Sequence, residues 1–306
     1  MKRLLKDVIF IVIFILLLGL CSNIFIMKGA GYGSDVWSFY ELERDSLDVI
    51  FFGSSHSYAT FSPKVIKEET GLKSYNFATQ QQPLSITYYY VKEALEYQSP
   101  DTIVLETRML TVDDPFMKEG VVRDAVDKMP FSLNKINAIN ASVENPEDRV
   151  SYYLNIIKYH TRYDKLKQED FLDGPFKDGI DNDGYIALES KADLWIDNAK
   201  ELKIQKTKAP TEKNLEYFEK IIALAKEKDI RLILVKSPCN LSEKERMNLN
   251  WLEAYAKEYQ LEFIDYNEKV EELGLVKGDY YDLGHLSGSG SVKTSQHFSK
   301  ILEQGA

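Results

Sequence analysis

Cysteine is almost absent from this chain, with two among 306 residues, Cys21 and Cys239. Cys21 lies in an apolar run far from Cys239, so no internal disulfide joins a bilayer residue to a soluble core, and no cysteine metal cage can be built. Positive charge is also short, 38 Lys and Arg against 48 Asp and Glu. Phosphate backbones demand clustered cations, so nucleic acid is excluded as a partner. Internal repeats and low-complexity tracts are missing. With 44% hydrophobic and 28% charged residues, neither wholesale disorder nor a collagen-like chain fits. Long apolar runs are lacking except for one, which rules out a polytopic membrane protein.

That run is Val8 to Met27, VIFIVIFILLLGLCSNIFIM, twenty residues without a charge, preceded by Lys2, Arg3 and Lys6. Its length matches one membrane helix, and the basic flank sets its N-terminal side in the cytoplasm. The expected organisation is a cytoplasmic tail over 1–7, a transmembrane anchor over 8–27 and an extracytoplasmic domain over 28–306, that is, a single-pass protein of the cell membrane. A cleaved signal peptide is the rival reading. Its apolar region would be shorter and end at a small-x-small site, whereas here the run continues through Ile24, Phe25 and Ile26. LGLC resembles a lipobox, but Leu20 stands before Cys21 where a small residue is expected. A buried globular helix is disfavoured by an apolar surface all round. Without residues 1–27 the chain keeps 35 basic against 47 acidic residues, a formal −12.

Beyond a Gly-rich polar stretch at 28–35, apolar runs bounded by turn residues read as strands and Pro-opened, Gly-closed segments as helices. DVIFFG (48–53) is a strand, SPKVIKEETG (62–71) a helix, KSYNFA (73–78) a strand, PLSITYYYVKEALEYQ (83–98) a helix and DTIVLET (101–107) a strand. The rhythm then stops over 108–205, read as a mostly helical insertion. It resumes with helix 214–229, strand 230–237, helix 242–260, strand 262–267 and a closing helix 291–304. The fold class is therefore α/β, a flavodoxin-like three-layer αβα sandwich around a parallel, doubly wound sheet, whose ligands bind beyond the carboxyl ends of the strands.

Two constellations fall on that rim. Gly53-Ser54-Ser55-His56-Ser57 follows the first strand, and Asp282-Leu283-Gly284-His285 lies past the last strand, before the closing helix. A serine needs a base to become nucleophilic, and a histidine needs a carboxylate to fix its tautomer and stabilise its cation. An Asp three residues before a His supplies that pair. His56 either lines the site or caps a turn. His160 and Arg162 in KYHTRYD are candidate substrate contacts within the insertion, and His297 reads as a surface residue. DGIDNDG (178–184) has the look of a calcium loop, but counted from Asp181 the twelfth position is Ala192, no ligand, so a turn is the better reading. No metal or cofactor is expected. The nineteen tyrosines suit either carbohydrate stacking or a core, since Tyr88, Tyr89 and Tyr90 cannot share one helical face.

DVIFFGSSHSYATFSP, SYNFATQQQP and YYDLGHLSGSGSVKTSQHF together resemble the SGNH hydrolases, the GDSL-type esterases and acyltransferases, over about 48–107 and 211–304. They are similar in particular to membrane-anchored members that act on envelope polymers, the DltD-like and polysaccharide O-acetyltransferase groups. The resemblance implies Ser55 as nucleophile, His285 as general base and Asp282 as its orienting carboxylate, with the Ser55 N–H as one oxyanion donor. Two blocks depart from the family. Its Gly donor is replaced in the loop Ala78-Thr79-Gln80-Gln81-Gln82, where Gln81 is nearest, and its Asn donor by Glu106-Thr107-Arg108. Gln81, Arg108 and Asn76 are the candidate side-chain donors. The resulting expectation is a serine O-acyltransferase acting on a cell-envelope polysaccharide or teichoic-acid-like polymer, its acyl donor supplied by a separate membrane protein. A carbohydrate or lipid esterase of the same fold, and a non-catalytic membrane-tethered binding or assembly protein, stand as alternatives.

Overall fold

The computed structural model describes residues 2–27, 38–171, 182–189 and 204–304. Five strands form one parallel sheet: β1 (Val49–Phe52), β2 (Ser74–Asn76), β3 (Thr102–Glu106), β4 (Arg231–Lys236) and β5 (Glu262–Asp265), in the order β2-β1-β3-β4-β5. Each lies inside the stretch expected from the sequence. The order reverses between β1 and β3, both paired in parallel with each other, and such a reversal opens a crevice at the carboxyl ends of the two strands.

Helix α1 (Lys2–Phe25) precedes the sheet, and α2 (Ser55–Tyr58), α3 (Pro63–Thr70) and α4 (Leu84–Tyr97) alternate with its first strands. Four more, α5 (Glu119–Val126), α6 (Leu133–Ser142), α7 (Arg149–Tyr153) and α8 (Asn155–Tyr159), lie between β3 and β4 ahead of α9 (Glu212–Glu227). The last two are α10 (Glu243–Glu258) and α11 (Gly288–Glu303). The starts are set by local chemistry. Ser62 Oγ accepts from Val65 N ahead of Pro63, and Ser242 and Glu245 form a capping box that opens α10.

Strand alternation separates the two cores. Val49 and Phe51 of β1 pack with Phe61, Ile66 and Phe298 on the α3/α11 face, while Ile50 and Phe52 pack with Tyr90, Ala94 and Phe218 on the α4/α9 face. Each buried Phe contributes roughly 1.5–3 kcal/mol of apolar transfer, which makes this alternation the dominant constraint on register.

Helices α5 and α6 of the insertion extend the larger core, while Ile186 and Leu188 pack on a small cluster of Tyr58, Ala59 and Ala78. Val122, Ala125, Ala138 and Ile139 share a cluster with Ile103, Leu105 and Tyr90, and the Tyr90 hydroxyl donates to Ala125 O at 2.9 Å. Within the segment expected to be mostly helical, VSYYLNIIKYHTRYDKL breaks at Leu154 (φ −122°, ψ 84°) into α7 and α8, then a 3-10 turn over His160–Asp164. The consecutive tyrosines belong to this packing. Tyr90 is fully buried and stacks on Phe77, with centroids 4.5 Å apart, while Tyr88 and Tyr89 flank Tyr217 of α9.

Four of the seven residues of DGIDNDG, 178–181, lie outside the described residues, and the other three form a turn on the sheet edge. Asp183 O accepts from Asn76 N at 2.9 Å, and Gly184 holds φ +74° with its Cα so close to β2 that a Cβ would stand 2.1 Å from Asn76 O. Only glycine fits both the backbone conformation and the approach. Gly184→Ala is expected to lower stability by about 1–3 kcal/mol, read as a lower urea midpoint; an unchanged midpoint would show that the turn does not hold β2.

Candidate active site

The first strand ends in a turn that glycine makes possible. Gly53 has φ +140°, and a Cβ there would sit 2.9 Å from Glu106 Cβ at the end of β3. The chain therefore passes tightly across the β1/β3 crevice and enters α2 with Ser54 as cap, its Oγ accepting from His56 N. Ser55 opens this short helix at the crevice mouth, and among the described residues its N–H has no protein acceptor.

The loop before α11 is folded around one carboxylate oxygen. Asp282 Oδ1 accepts from Gly284 N at 2.7 Å, from His285 N at 2.8 Å and from the His285 ring at Nδ1, also 2.8 Å. The opposite ring nitrogen, Nε2, lies 2.8 Å from Ser55 Oγ. With Nδ1–H committed to the carboxylate, Nε2 carries a lone pair and accepts from the serine hydroxyl. Asn240 N bonds Leu283 O at 2.7 Å, tying this loop to the one after β4. Ser55 is 8% exposed and His285 partly exposed, so a small group can reach the hydroxyl while most of the surroundings are protein.

Beneath the serine lies a buried polar cluster. His56 is buried beside His285, ring centroids 4.8 Å apart, and its Nδ1 is 3.5 Å from the Lys236 ammonium. Lys236, at the carboxyl end of β4, is fully buried, 3.5 Å from Glu106 Oε1 and 3.0 Å from Ser237 O. Burial presses Lys236 towards neutrality, but its interactions with the Cys239 sulfur and the Glu106 carboxylate outweigh it and hold its pKa above the ordinary lysine value. His56 is driven the other way, well below the ordinary histidine value, by burial first and then by Lys236, His285 and Arg108. A cation facing Nδ1 leaves that atom as acceptor, so His56 is neutral with its proton on Nε2. Tyr58 closes α2, and burial raises its phenol above the usual range.

The structure thus brings Ser55, His285 and Asp282 together and sets His56 against them. The remaining sequence candidates fall elsewhere or have other work. Asn76 is fully buried, donating to Phe61 O at 2.8 Å and accepting from Ser57 Oγ, so it clamps β2 to the α2 segment instead of donating to an oxyanion. The Arg108 guanidinium is drawn to α10 by Glu245 at 2.6 Å and bonds Thr111. His160 is exposed and bonds Ile157 O of the preceding turn, an ordinary helix-end contact. Arg162 holds the end of α1, donating to Phe25 O and Ile26 O. His297, read as a surface residue, is mostly covered, between Tyr266 and Glu272. Gln81 is exposed with φ +48°, a left-handed conformation that favours glycine, at the position nearest the family's Gly.

Sequence reasoning missed Lys236 and Tyr58. The signal for Lys236 was present: a charged residue closing an otherwise apolar strand, at the end where α/β sheets bind ligands. Among the described residues, the carboxylates of Glu253, Asp265 and Glu268 come within metal-ligand spacing, but Arg246 sits among all three at 3.1–3.2 Å and supplies the cation itself.

No family model matches this chain, and no curated protein sequence does. Among solved structures, it is similar to a lipolytic protein of the G-D-S-L family from Desulfitobacterium hafniense DCB-2 at TM-score 0.41 and 10% identity, over 83% of this chain and 98% of that one. It is similar also to an acylhydrolase from Bacteroides fragilis NCTC 9343 at TM-score 0.42 and 13% identity, over 88% and 93% of the two chains.

The suppressed His56 pKa has a measurable consequence. Below about pH 6.5 the unfolded chain protonates this histidine while the folded chain does not, so the folded state loses stability as pH falls. Urea midpoints of the wild type and His56→Gln should diverge between about pH 7.5 and about pH 5, the wild type losing more; equal losses would contradict a neutral buried His56.

Proposed function

We propose that this chain is a serine-dependent acyl-transfer enzyme of the SGNH, GDSL-type class, with Ser55 as nucleophile, His285 as general base and Asp282 as orienting carboxylate. The observation that carries the reading is the continuous chain of two 2.8 Å contacts, Asp282 Oδ1 to His285 Nδ1 and His285 Nε2 to Ser55 Oγ. Such a relay has a purpose only where the serine must be made nucleophilic.

The chemistry follows from the geometry. Ser55 Oγ attacks an acyl carbonyl carbon as its proton passes to His285 Nε2, and Asp282 stabilises the imidazolium that results. The negative oxygen of the tetrahedral intermediate takes a hydrogen bond from the unengaged Ser55 N–H. Collapse breaks the bond to the leaving alcohol, which takes the proton from His285, and an acyl ester remains on Ser55. His285 then removes a proton from an acceptor hydroxyl, which attacks the ester and regenerates the serine. Water as acceptor makes the protein an esterase, and a sugar hydroxyl makes it an O-acyltransferase.

Transfer to an envelope polysaccharide or teichoic-acid-like polymer is the reading favoured here. Helix α1 is long and apolar enough to span a membrane, and the basic Lys2, Arg3 and Lys6 at its start assign the N-terminus to the cytoplasm. The folded domain would then work outside the cell membrane, near lipid-borne acyl donors and surface polymers, the donor being handed over by a separate membrane acyltransferase.

The direct test is acetyl turnover from p-nitrophenyl acetate with and without a sugar acceptor. Wild type should release nitrophenol and carry a transient acetyl mass on Ser55, and Ser55→Ala should lose at least about a hundredfold in rate. Acetylated sugar in place of acetate identifies a transferase. Undiminished turnover by Ser55→Ala would overturn the assignment.

A further inference from the structure

The geometry points to a second membrane contact: the segment from α8 through the 3-10 turns His160–Asp164 and Gln168–Phe171 forms a collar that seats on the lipid headgroups around the exit of α1. The inference rests on the reading of α1 as a membrane helix given above. From Leu4 to Leu17 the apolar side chains of α1 point outward without protein cover, while Cys21–Phe25 are half-buried and Ile26 is fully buried against the domain. The change happens within the last turns of the helix. α8 and both 3-10 turns pack on α1 there.

Arg162 makes that junction rigid. Its Nη1 donates to Phe25 O and to Ile26 O, at 2.5 and 2.7 Å, and its Nη2 pairs with Asp170 at 3.0 Å. Terminal carbonyls of a helix have no partners within it, and a guanidinium there satisfies them and complements the helix dipole. Asp170 in turn accepts from Lys167 N at 2.8 Å, so both turns are locked to one residue.

Distance decides what the collar must touch. Protein cover begins at Cys21, so the lipid-facing stretch ends at Leu20 and is shorter than the 8–27 run read from the sequence. From Leu20 to Ile26 a helix advances about 9 Å, and the headgroup layer on one side of a bilayer is roughly 5–8 Å deep. A structure clamped to the last turn of a spanning helix therefore lies at headgroup depth. The exposed side chains there suit that depth. Ile157 is 45% exposed, Tyr163 74% and Phe171 60%, and Lys165 and Lys167 are exposed beside them. Aromatic rings with adjacent lysines are the composition of a membrane interface, the rings entering the headgroup layer and the ammonium groups meeting lipid phosphates. In water alone, three large apolar side chains beside one helix end would have no such cover.

The test uses the full chain, with Cys21→Ser and Cys239→Ala, reconstituted in phosphatidylcholine vesicles containing phosphatidylglycerol. Single cysteines replace Tyr163, Phe171, Leu16 or, as an exposed residue of α11, Lys300, and each is labelled with an environment-sensitive nitrobenzoxadiazole. Lipids brominated near the headgroup should extinguish emission at positions 163 and 171, deeply brominated lipids should extinguish it at 16, and neither should affect 300. If 163 and 171 behave like 300 while 16 is quenched, the collar is wrong and the anchor stands. Blue-shifted emission at 163 and 171 without bromolipid quenching means that protein covers the patch, which also overturns the proposal. Loss of quenching at 16 removes the anchor and the collar together.

Discussion

A single oxygen, Oδ1 of Asp282, accepts three N–H groups, two from the backbone of its own loop and one from the His285 ring. The backbone bonds fold the turn, and the turn brings the ring to the carboxylate, so the local fold and the orientation of the base are one event. Everything else at the site is placed against that ring. Strand order sets Ser55 at the crevice between β1 and β3, Gly53 lets the chain cross β3 closely enough, and Asn240 N fastens the Asp282 loop to the end of β4. Residues 230 positions apart meet at 2.8 Å because each is held by backbone, not by long flexible side chains.

Below the serine, the buried His56, Lys236 and Glu106 solve a charge problem. A lone ammonium in that setting would be costly, and Glu106 and Ser237 O compensate it. Burial, reinforced by the cation, denies His56 a proton, which leaves a neutral ring and not a second positive charge against His285. His285 can then accept a proton without a competing imidazolium 4.8 Å away.

Much of this was legible in the sequence where the signal is local. Apolar runs bounded by turn residues marked the five strands, and Ser-Pro marked a helix start, because both depend on residues a few positions apart. The two halves of the site were legible for a similar reason, each a short turn after a strand. The remainder depends on partners distant in sequence. Nothing around Asn76 tells whether its amide faces an oxyanion or Phe61 O, and Arg162 reads as a plausible ligand group until the end of α1 is beside it. The insertion looked separable because its periodicity differs, yet Val122, Ala125 and Ile139 complete the core that Tyr90 begins. Pattern reports which face is apolar and not what covers it.

The central claim is that Asp282 and His285 activate Ser55. It is tested most directly by the rate at which a fluorophosphonate modifies Ser55, followed by intact mass and peptide mapping, in the wild type and in Asp282→Asn. The account predicts a single adduct on Ser55 in the wild type and a rate lower by about 10²–10⁴ in the variant, since the amide removes the charge that stabilises the imidazolium and favours the wrong tautomer. Equal rates in the two proteins, or no adduct on Ser55 in the wild type, would contradict it.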